Sequence, residues 1–432
     1  MQAQNSTKQP HIAYILLWYP LFTQPFIFRE VEGLRKHMPL TVYSLYGLNP
    51  RQWSAEMRAA AQGTVTHGVA ALGRILAEFF CQLWRQPRRI GQLFMRTLWR
   101  KWPNAEVCGE NLWAFFMGVY LAKVLRRDGI DCIHAPWPRG TATAAWVASS
   151  LSGIPFSTSA RGDNLNPADP DLLDKLTAAA FIRANNAADI ERMAAMLPAS
   201  QREAFRAKTH LVYNSLTLAV RGQCPVTMQP PVRLMALGRF DMTKGFEYLV
   251  EACHILKQRG FAFHLTLAGG GGVGMGLGAM GALIEARRKE YGLEEDIDLP
   301  GLLSHNELPR YLLEHDIFVA PCIIHASGRR DGIPNTVIEA MAYGMPVLAT
   351  NTNALPEIVH DGQTGRTVPQ KDAQALANAI MELAAQPEDA RRMGENAKTL
   401  VAQMFDPQHN VHSLCAMFSQ ESARLAAQRT AL

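Results

Sequence analysis

The chain contains no run of about 20 apolar residues, so no segment reads as a bilayer-spanning helix. Its seven cysteines, at 81, 108, 132, 224, 253, 322 and 415, are odd in number, scattered and without a Cys-x-x-Cys pair. That argues for a reducing compartment and against a structural zinc site. Net charge is scarce too: 43 Lys and Arg against 38 Asp and Glu leave +5, too little to point to nucleic acid. Residues 1–11 are polar and lack the apolar core of a signal peptide, so a cytoplasmic location is expected.

What is present is an ordinary globular balance, 48% hydrophobic and 19% charged, over 432 residues. That length accommodates two domains of about 200 residues each. The pattern alternates short apolar runs with amphipathic stretches, as parallel α/β folds do. Strands are expected at 11–18, 40–45, 131–136, 154–160 and 210–214. Helices are expected at 26–35, 140–151 and 172–185, with a further helical stretch to about 196. Residues 73–103 differ in character. Arg74, Arg85, Arg88, Arg89, Arg96, Arg100 and Lys101 face Glu78 alone, and phenylalanines, leucines and tryptophans are interleaved with them. Such helices lie on anionic membranes, or else cover the first domain with a solvated basic face. Both readings stand at this point. Basic aromatic stripes also bind single strands, but no recognition module accompanies this one.

The second half carries the chemistry. A strand at 232–237 runs into Gly238-Arg239 and then Lys244-Gly245 before a helix from 246 to 259. Glycine lets the backbone approach a diphosphate, arginine forks onto its oxygens and lysine reaches them. His264 to Ala268 is another strand, followed by the glycine-rich run 269–278. That run lacks the rest of a dinucleotide fingerprint and reads as a long, mobile strand-end loop. Strand 316–321 then leads through a loop to Asp331-Gly332-Ile333-Pro334, with Asn335 and Thr336 opening a helix that bears Glu339 and stops at Gly344. A loop leaving the carboxyl end of a parallel strand is where open α/β sheets bind ligands. The free N–H groups of a helix start favour an anion there. Pro334 suits the first helical turn. Beyond it, a strand at 347–350, a helix start at 356–359, a last strand after Arg366 and a helix at 373–385 complete the domain. Residues 223–231 read as a linker by composition.

Asp331-Gly-Ile-Pro followed by Glu339-Ala-Met-Ala-x-Gly-x-Pro-Val resembles the E-seven residues-E motif of the retaining, group-one glycosyltransferases, of exopolysaccharide and lipopolysaccharide type. The Gly-Arg…Lys-Gly pair matches the same family. The first acid is Asp rather than Glu, with the spacing intact. The resemblance is strong over 233–370 and loose before 210. It implies a GT-B fold: two Rossmann-like α/β domains, 1–222 for the acceptor and 223–404 for the donor, with 405–432 packing back on the first. It implies transfer of a sugar from a nucleotide-sugar to a hydroxyl acceptor, with no cofactor or metal. Arg239 and Lys244, beside Gly238, carry over as diphosphate cations, Asp331 as the holder of donor-sugar hydroxyls, and Glu339 as the acceptor of ribose hydrogen bonds. Gly332, Ile333, Pro334, Asn335 and Thr336 line the same site.

The first domain departs from the family in places. Phe26-Ile27 followed by Glu30 fits its opening loop, but Arg161 stands where a histidine is usual and Ser215 where a glycine is. Arginine is no base yet a strong phosphate ligand, so Arg161 is expected near the diphosphate unless it is a surface loop residue. With the basic stretch, the family reading suggests a lipid-linked saccharide acceptor and peripheral association with the cytosolic membrane face. Two rivals remain: a non-catalytic GT-B partner subunit, and a soluble transferase acting on free glycan or a small molecule. A phosphorylase of the pyridoxal type would need a lysine site and length not evident here.

Overall fold

A computed structural model of the chain describes residues 9–21, 24–47, 53–161, 165, 169–216, 220, 222–270, 278–304 and 306–430. Residues 162–164 beside Arg161 and the glycine-rich residues 271–277, expected to be mobile, lie outside them. The chain divides into two compact units, Met1–Ser215 with Pro407–Leu432, and Leu216–Asp406.

In the first unit the order is β1 (Ile12–Trp18), α1 (Pro25–Arg35), β2 (Leu40–Gly47), α2 (Ala55–Gln62), β3 (Thr64–Thr66), α3 (Leu72–Arg85), α4 (Pro87–Thr97), α5 (Ala105–Arg127), β4 (Cys132–Ala135), α6 (Gly140–Ser152), β5 (Phe156–Ala160), α7 (Leu172–Ala178), β6 (Phe181–Ala184), α8 (Ala187–Ala195), α9 (Ala199–Ala207) and β7 (Thr209–Leu211). The second unit contains β8 (Val232–Leu237), α10 (Phe246–Gln258), β9 (Phe263–Ala268), α11 (Gly278–Glu290), β10 (Ile297–Asp298), α12 (Leu308–Glu314), β11 (Ile317–Ala320), α13 (Asn335–Ala342), β12 (Val347–Thr350), β13 (Arg366–Val368), α14 (Ala373–Ala385) and α15 (Pro387–Met404). The last helix, α16 (Pro407–Thr430), returns to the first unit.

Seven described strands form the first sheet in the order β3-β2-β1-β4-β5-β6-β7, and six form the second, β10-β9-β8-β11-β12-β13. The pairings among them are parallel. β4, β5, β6, β11 and β12 are buried along their whole length, and apart from His134 and Arg183 they are continuous small or apolar runs rather than alternating ones. Helices α2, α5, α8 and α14 start where a side chain takes an orphan N–H group: Ser54 accepts from Met57, Asn104 from Val107, Asn186 from Asp189 and Asp372 from Ala375.

Several expectations change. The helix expected over 172–185 ends at Ala178, and Phe181–Ala184 is strand β6 inside the first sheet. A four-residue strand beside an alanine-rich turn has too few residues to show a period, so only its pairing reveals it. The helix start at 356–359 is a single tight turn, Leu355–Glu357. Pro334 caps α13 rather than entering it, with ψ at 130°. Residues 223–231, read as a linker, are fastened to the second unit. Cys224 N–H donates to the Tyr343 carbonyl, and buried Asp316 accepts from Thr227, Met228 and Arg233. The Asp316 carboxyl is held below its ordinary value because these donors and the Arg233 guanidinium outweigh the effect of burial.

Candidate functional site

Numbered within its own unit, the second sheet has the 3-2-1-4-5-6 order of dinucleotide-binding folds. Strand order therefore reverses between β8 and β11, which pair at Leu234↔Ile317 and Met235↔Phe318. Ligands bind such sheets in the crevice beyond the carboxyl ends at this reversal. Both sequence motifs sit there: 238–245 leaves β8 and 321–334 leaves β11.

The two loops touch through backbone. Gly245 has φ of +64°, and a Cβ on it would lie 2.1 Å from the Pro321 carbonyl oxygen. Only glycine meets both demands. Ile323 N–H donates to Thr243 O at 2.9 Å, and Phe240 N–H donates to Gly270 O at 2.8 Å. The strand-end loops are thereby set side by side.

Their side chains converge. Lys244 is 8% exposed, and its Nζ lies 3.1 Å from Asp331 Oδ2. Burial pushes its ammonium down, but the Asp331 carboxylate overcomes this and holds it above its ordinary value, fully charged. The Thr243 hydroxyl lies 3.0 Å from Asp241 Oδ1 and 3.3 Å from Asp331 Oδ2, so one proton serves two carboxylates. Asp241 also accepts from Thr243 N–H at 3.0 Å and from Arg329 Nη2 at 3.1 Å. These donors, with Arg329 and Arg239 nearby, keep its carboxyl below the usual range against the opposing effect of burial. Asn353 Nδ2 donates to the Asp331 carbonyl at 2.6 Å, fixing the loop just ahead of α13.

Around this core, Arg239 is exposed, Glu339 is partly buried on α13, Gly238, Gly332, Ile333 and Thr336 are partly buried, Pro334 is buried and Asn335 is exposed. The first N–H groups of α13 have no intrahelical acceptors. The structure thus gathers the motif residues of the second unit at one strand reversal. Sequence reasoning did not single out Asp241, Thr243, Arg329 or Asn353. Asp241-x-Thr243 was the available signal, since an acid two residues before a threonine N–H forms a local turn. Nothing local marks Arg329 or Asn353. A depression of about 220 Å³ lined by Arg366, Glu382, Asp389 and Arg392, among others, shares no residue with this arrangement.

Arg161 lies in the first unit. It is 2% exposed, not a surface residue. Its Nη2 donates to both Glu30 oxygens, at 3.0 and 2.9 Å, and Nη1 to Asn214 Oδ1 at 2.9 Å. The guanidinium also lies over the Phe26 and Trp137 rings, 5.4 and 5.6 Å from their centroids. Arg183 donates to the same carboxylate at 2.5 Å, and the Tyr14 hydroxyl donates to it as well. Burial alone would raise the Glu30 carboxyl, but Arg161 and Arg183 outweigh it and bring it down to about 2. Both N–H groups of Nη2 and one of Nη1 are thus engaged within the first unit, while the buried Nε has no partner among the described residues. His134, tied to Ser157 and Ser159, adjoins this network, and burial pushes its imidazole down to about 3.

Residues 228–400 match the family described as Glycosyl transferases group 1. The amylovoran biosynthesis glycosyltransferase AmsK of Erwinia amylovora is 35% identical over 156 residues, 36% of this chain and 37% of that protein. A GDP-mannose-dependent alpha-(1-6)-phosphatidylinositol monomannoside mannosyltransferase of Mycolicibacterium smegmatis is 30% identical over 162 residues, 37% of this chain and 41% of that protein. The matches therefore span about two fifths of these relatives' own length. Among solved structures, Anabaena Alr3699/HepE in complex with UDP superposes with a TM-score of 0.66 at 14% identity, covering 95% of this chain and 100% of that one. Sucrose-phosphate synthase from Thermosynechococcus elongatus gives 0.67 at 18%, covering 96% and 100%. The fold is that of the GT-B glycosyltransferases, two Rossmann-like α/β units with parallel sheets. Its 228–400 segment carries the group 1 glycosyl transferase pattern.

Proposed function

We propose that this protein transfers a sugar from a nucleotide-sugar to a hydroxyl acceptor with retention of anomeric configuration, in surface polysaccharide assembly. The observation that carries the reading is the Lys244–Asp331 contact at 3.1 Å at the β8/β11 reversal. It sets a buried, permanently charged ammonium beside a carboxylate, so a diphosphate and a polyhydroxyl ring could be held at adjacent points. Lys244, Arg239 and the first turn of α13 would stabilise the departing diphosphate. Fixed charge needs no reorganisation as the bond breaks, and no metal is required for that part. Asp331 would accept from donor-sugar hydroxyls, and Glu339 would accept from the ribose, as an acceptor-only carboxylate can. Asp241 and Thr243 hold this pair in register. A lipid-linked saccharide is the acceptor we favour. One relative is named for a phosphatidylinositol-borne acceptor, in line with this choice.

A thermal-shift panel of UDP, GDP, ADP, CMP and their sugar conjugates tests the donor site. One nucleotide should stabilise the wild type, and both Lys244→Ala and Glu339→Ala should lose at least about tenfold in its affinity. A flat panel with folded protein would sink the donor-site reading and favour a non-catalytic partner subunit. Retention is tested separately, by the anomeric configuration of the first-formed product in proton NMR.

A further inference from the structure

Sequence alone leaves residues 73–103 open between a membrane-lying surface and an ordinary cover for the first domain. The structure divides them residue by residue. On α3, Ile75 is fully buried and Phe79 and Leu83 pack inward, where Phe79 meets the Phe115 and Phe116 rings of α5. On α4, Ile90 and Leu93 do the same against a cluster that includes Phe115, Val119 and Val147. These residues are domain cover. A second set is not. Leu72, Leu76, Phe80 and Trp84 recur every four residues on α3 and are all exposed, Phe80 at 61% and Trp84 at 86%. On α4 and just beyond it Met95 and Trp99 are exposed, Trp99 at 72%.

The inversion on α3 is the decisive feature. Its only acid, Glu78, is turned inward, where its two oxygens take Gln82 and Lys123. The large apolar side chains stand in its place outside. At about 100° per residue, Leu72, Leu76, Phe80 and Trp84 cover a sector of roughly 120°, and Arg74 and Arg85 lie roughly 80° and 100° beyond its Trp84 edge. Arg88 and Arg96 are exposed on the neighbouring helix. A soluble helix places its apolar stripe on the core and its acid in water, so α3 presents an apolar face twice over.

We propose that this outward face of α3 and α4 docks on an anionic lipid surface, with Phe80, Trp84 and Trp99 in the headgroup layer and Arg74, Arg85 and Arg88 against lipid phosphates. The occupant follows from the chemistry of the face. Tryptophan and phenylalanine beside arginine suit an interface that is apolar below and anionic above. Of the seven cations over 73–103, Arg100 is paired with Asp174 and Arg89 donates to the Ser150 carbonyl, but Arg74, Arg85, Arg88 and Arg96 are exposed and the single acid is withdrawn from the surface. A second copy of the chain would bring the same cations face to face and be repelled by them. The proposal stands on this surface alone and does not depend on the donor-site reading.

The test is co-sedimentation of the full chain with phosphatidylcholine vesicles, with and without phosphatidylglycerol. Wild type should bind only the anionic vesicles, and brominated lipid should quench tryptophan emission less in Trp84→Phe. Arg74→Gln/Arg85→Gln/Arg88→Gln should weaken binding about a hundredfold, at about fivefold per cation. Phe80→Ser/Trp84→Ser should weaken it by at least about tenfold without changing the thermal melt, because both side chains face outward. Equal binding to neutral vesicles, or binding by wild type to neither, would overturn the proposal. So would a dimer in light scattering that Phe80→Ser/Trp84→Ser dissolves, which would mark the face as a self-association surface.

Discussion

At the scale of single residues, the buried network of the first unit makes a pH prediction. His134 has its imidazole pushed down to about 3 from 6.5, because burial penalises its charged form. Between those values the unfolded chain takes up a proton that the folded chain refuses, so stability drops as pH falls through that window. Glu30, brought from 4.5 to about 2, acts in the same direction lower down. Its contribution is present above 4.5 and is lost as pH falls through 2. The urea midpoint should therefore decline on acidification in two stages. His134→Gln, which can still bond Ser157 and Ser159, should flatten the stage between 6.5 and 4.5 and leave the lower one. An unchanged profile in that variant would mean another group titrates there. The closeness of two motifs was legible: Lys244 and Asp331, 87 positions apart, were placed together from their motifs and lie 3.1 Å apart. The hydroxyl of Thr243 shared between two carboxylates was not legible, because sharing is a property of distance.

At the scale of elements, the closeness of two loops rests on Gly245. Gly245→Ala should cost at least about 3 kcal/mol, combining a left-handed backbone with a clash against the Pro321 carbonyl. Gly260 in the same unit also has positive φ but nothing within 4 Å of its would-be Cβ. Gly260→Ala should cost only about 1 to 2 kcal/mol. Chemical denaturation of the two variants separates strain from collision, and equal losses would remove Pro321 from the account. Elements themselves were read well where they repeat. The helix at 373–385 was bounded as the structure has it, since an apolar period over 13 residues is unambiguous. β6 was missed because Phe181–Ala184 is four residues long and contains Arg183, whose burial is made tolerable by Glu30 from α1 and by the Val212 and Tyr213 carbonyls.

At the scale of the whole molecule, the chain leaves its first unit and then completes it. α16 supplies Val411, Leu414, Met417 and Phe418 to a core that holds Ile12, Tyr14 and Val31. Phe418 is fully buried, beside the Phe181 and His134 rings. His210 and Arg424 both engage Glu421, tying the helix down at its far end. Phe418→Ala should cost about 3 to 5 kcal/mol in the first unit. Near-ultraviolet circular dichroism should report that loss while nucleotide stabilisation of the second unit persists. A variant that melts like wild type would show that α16 covers the first unit without supporting it.

By itself the sequence determined the alternating α/β class and the placing of two loop motifs at strand ends, while the return of the last helix was legible only through family resemblance. The first two follow from local period and from glycine and proline placement. Tertiary structure alone decided which face of α3 turns outward, that Arg161 is paired inside the first unit with Glu30, and that Asp241 and Arg329 join the loops after β8 and β11. Amphipathic period fixes that a helix has two faces but is blind to which one finds a neighbour. The pairing of charges 131 residues apart is likewise set only when the sheet brings their strands together.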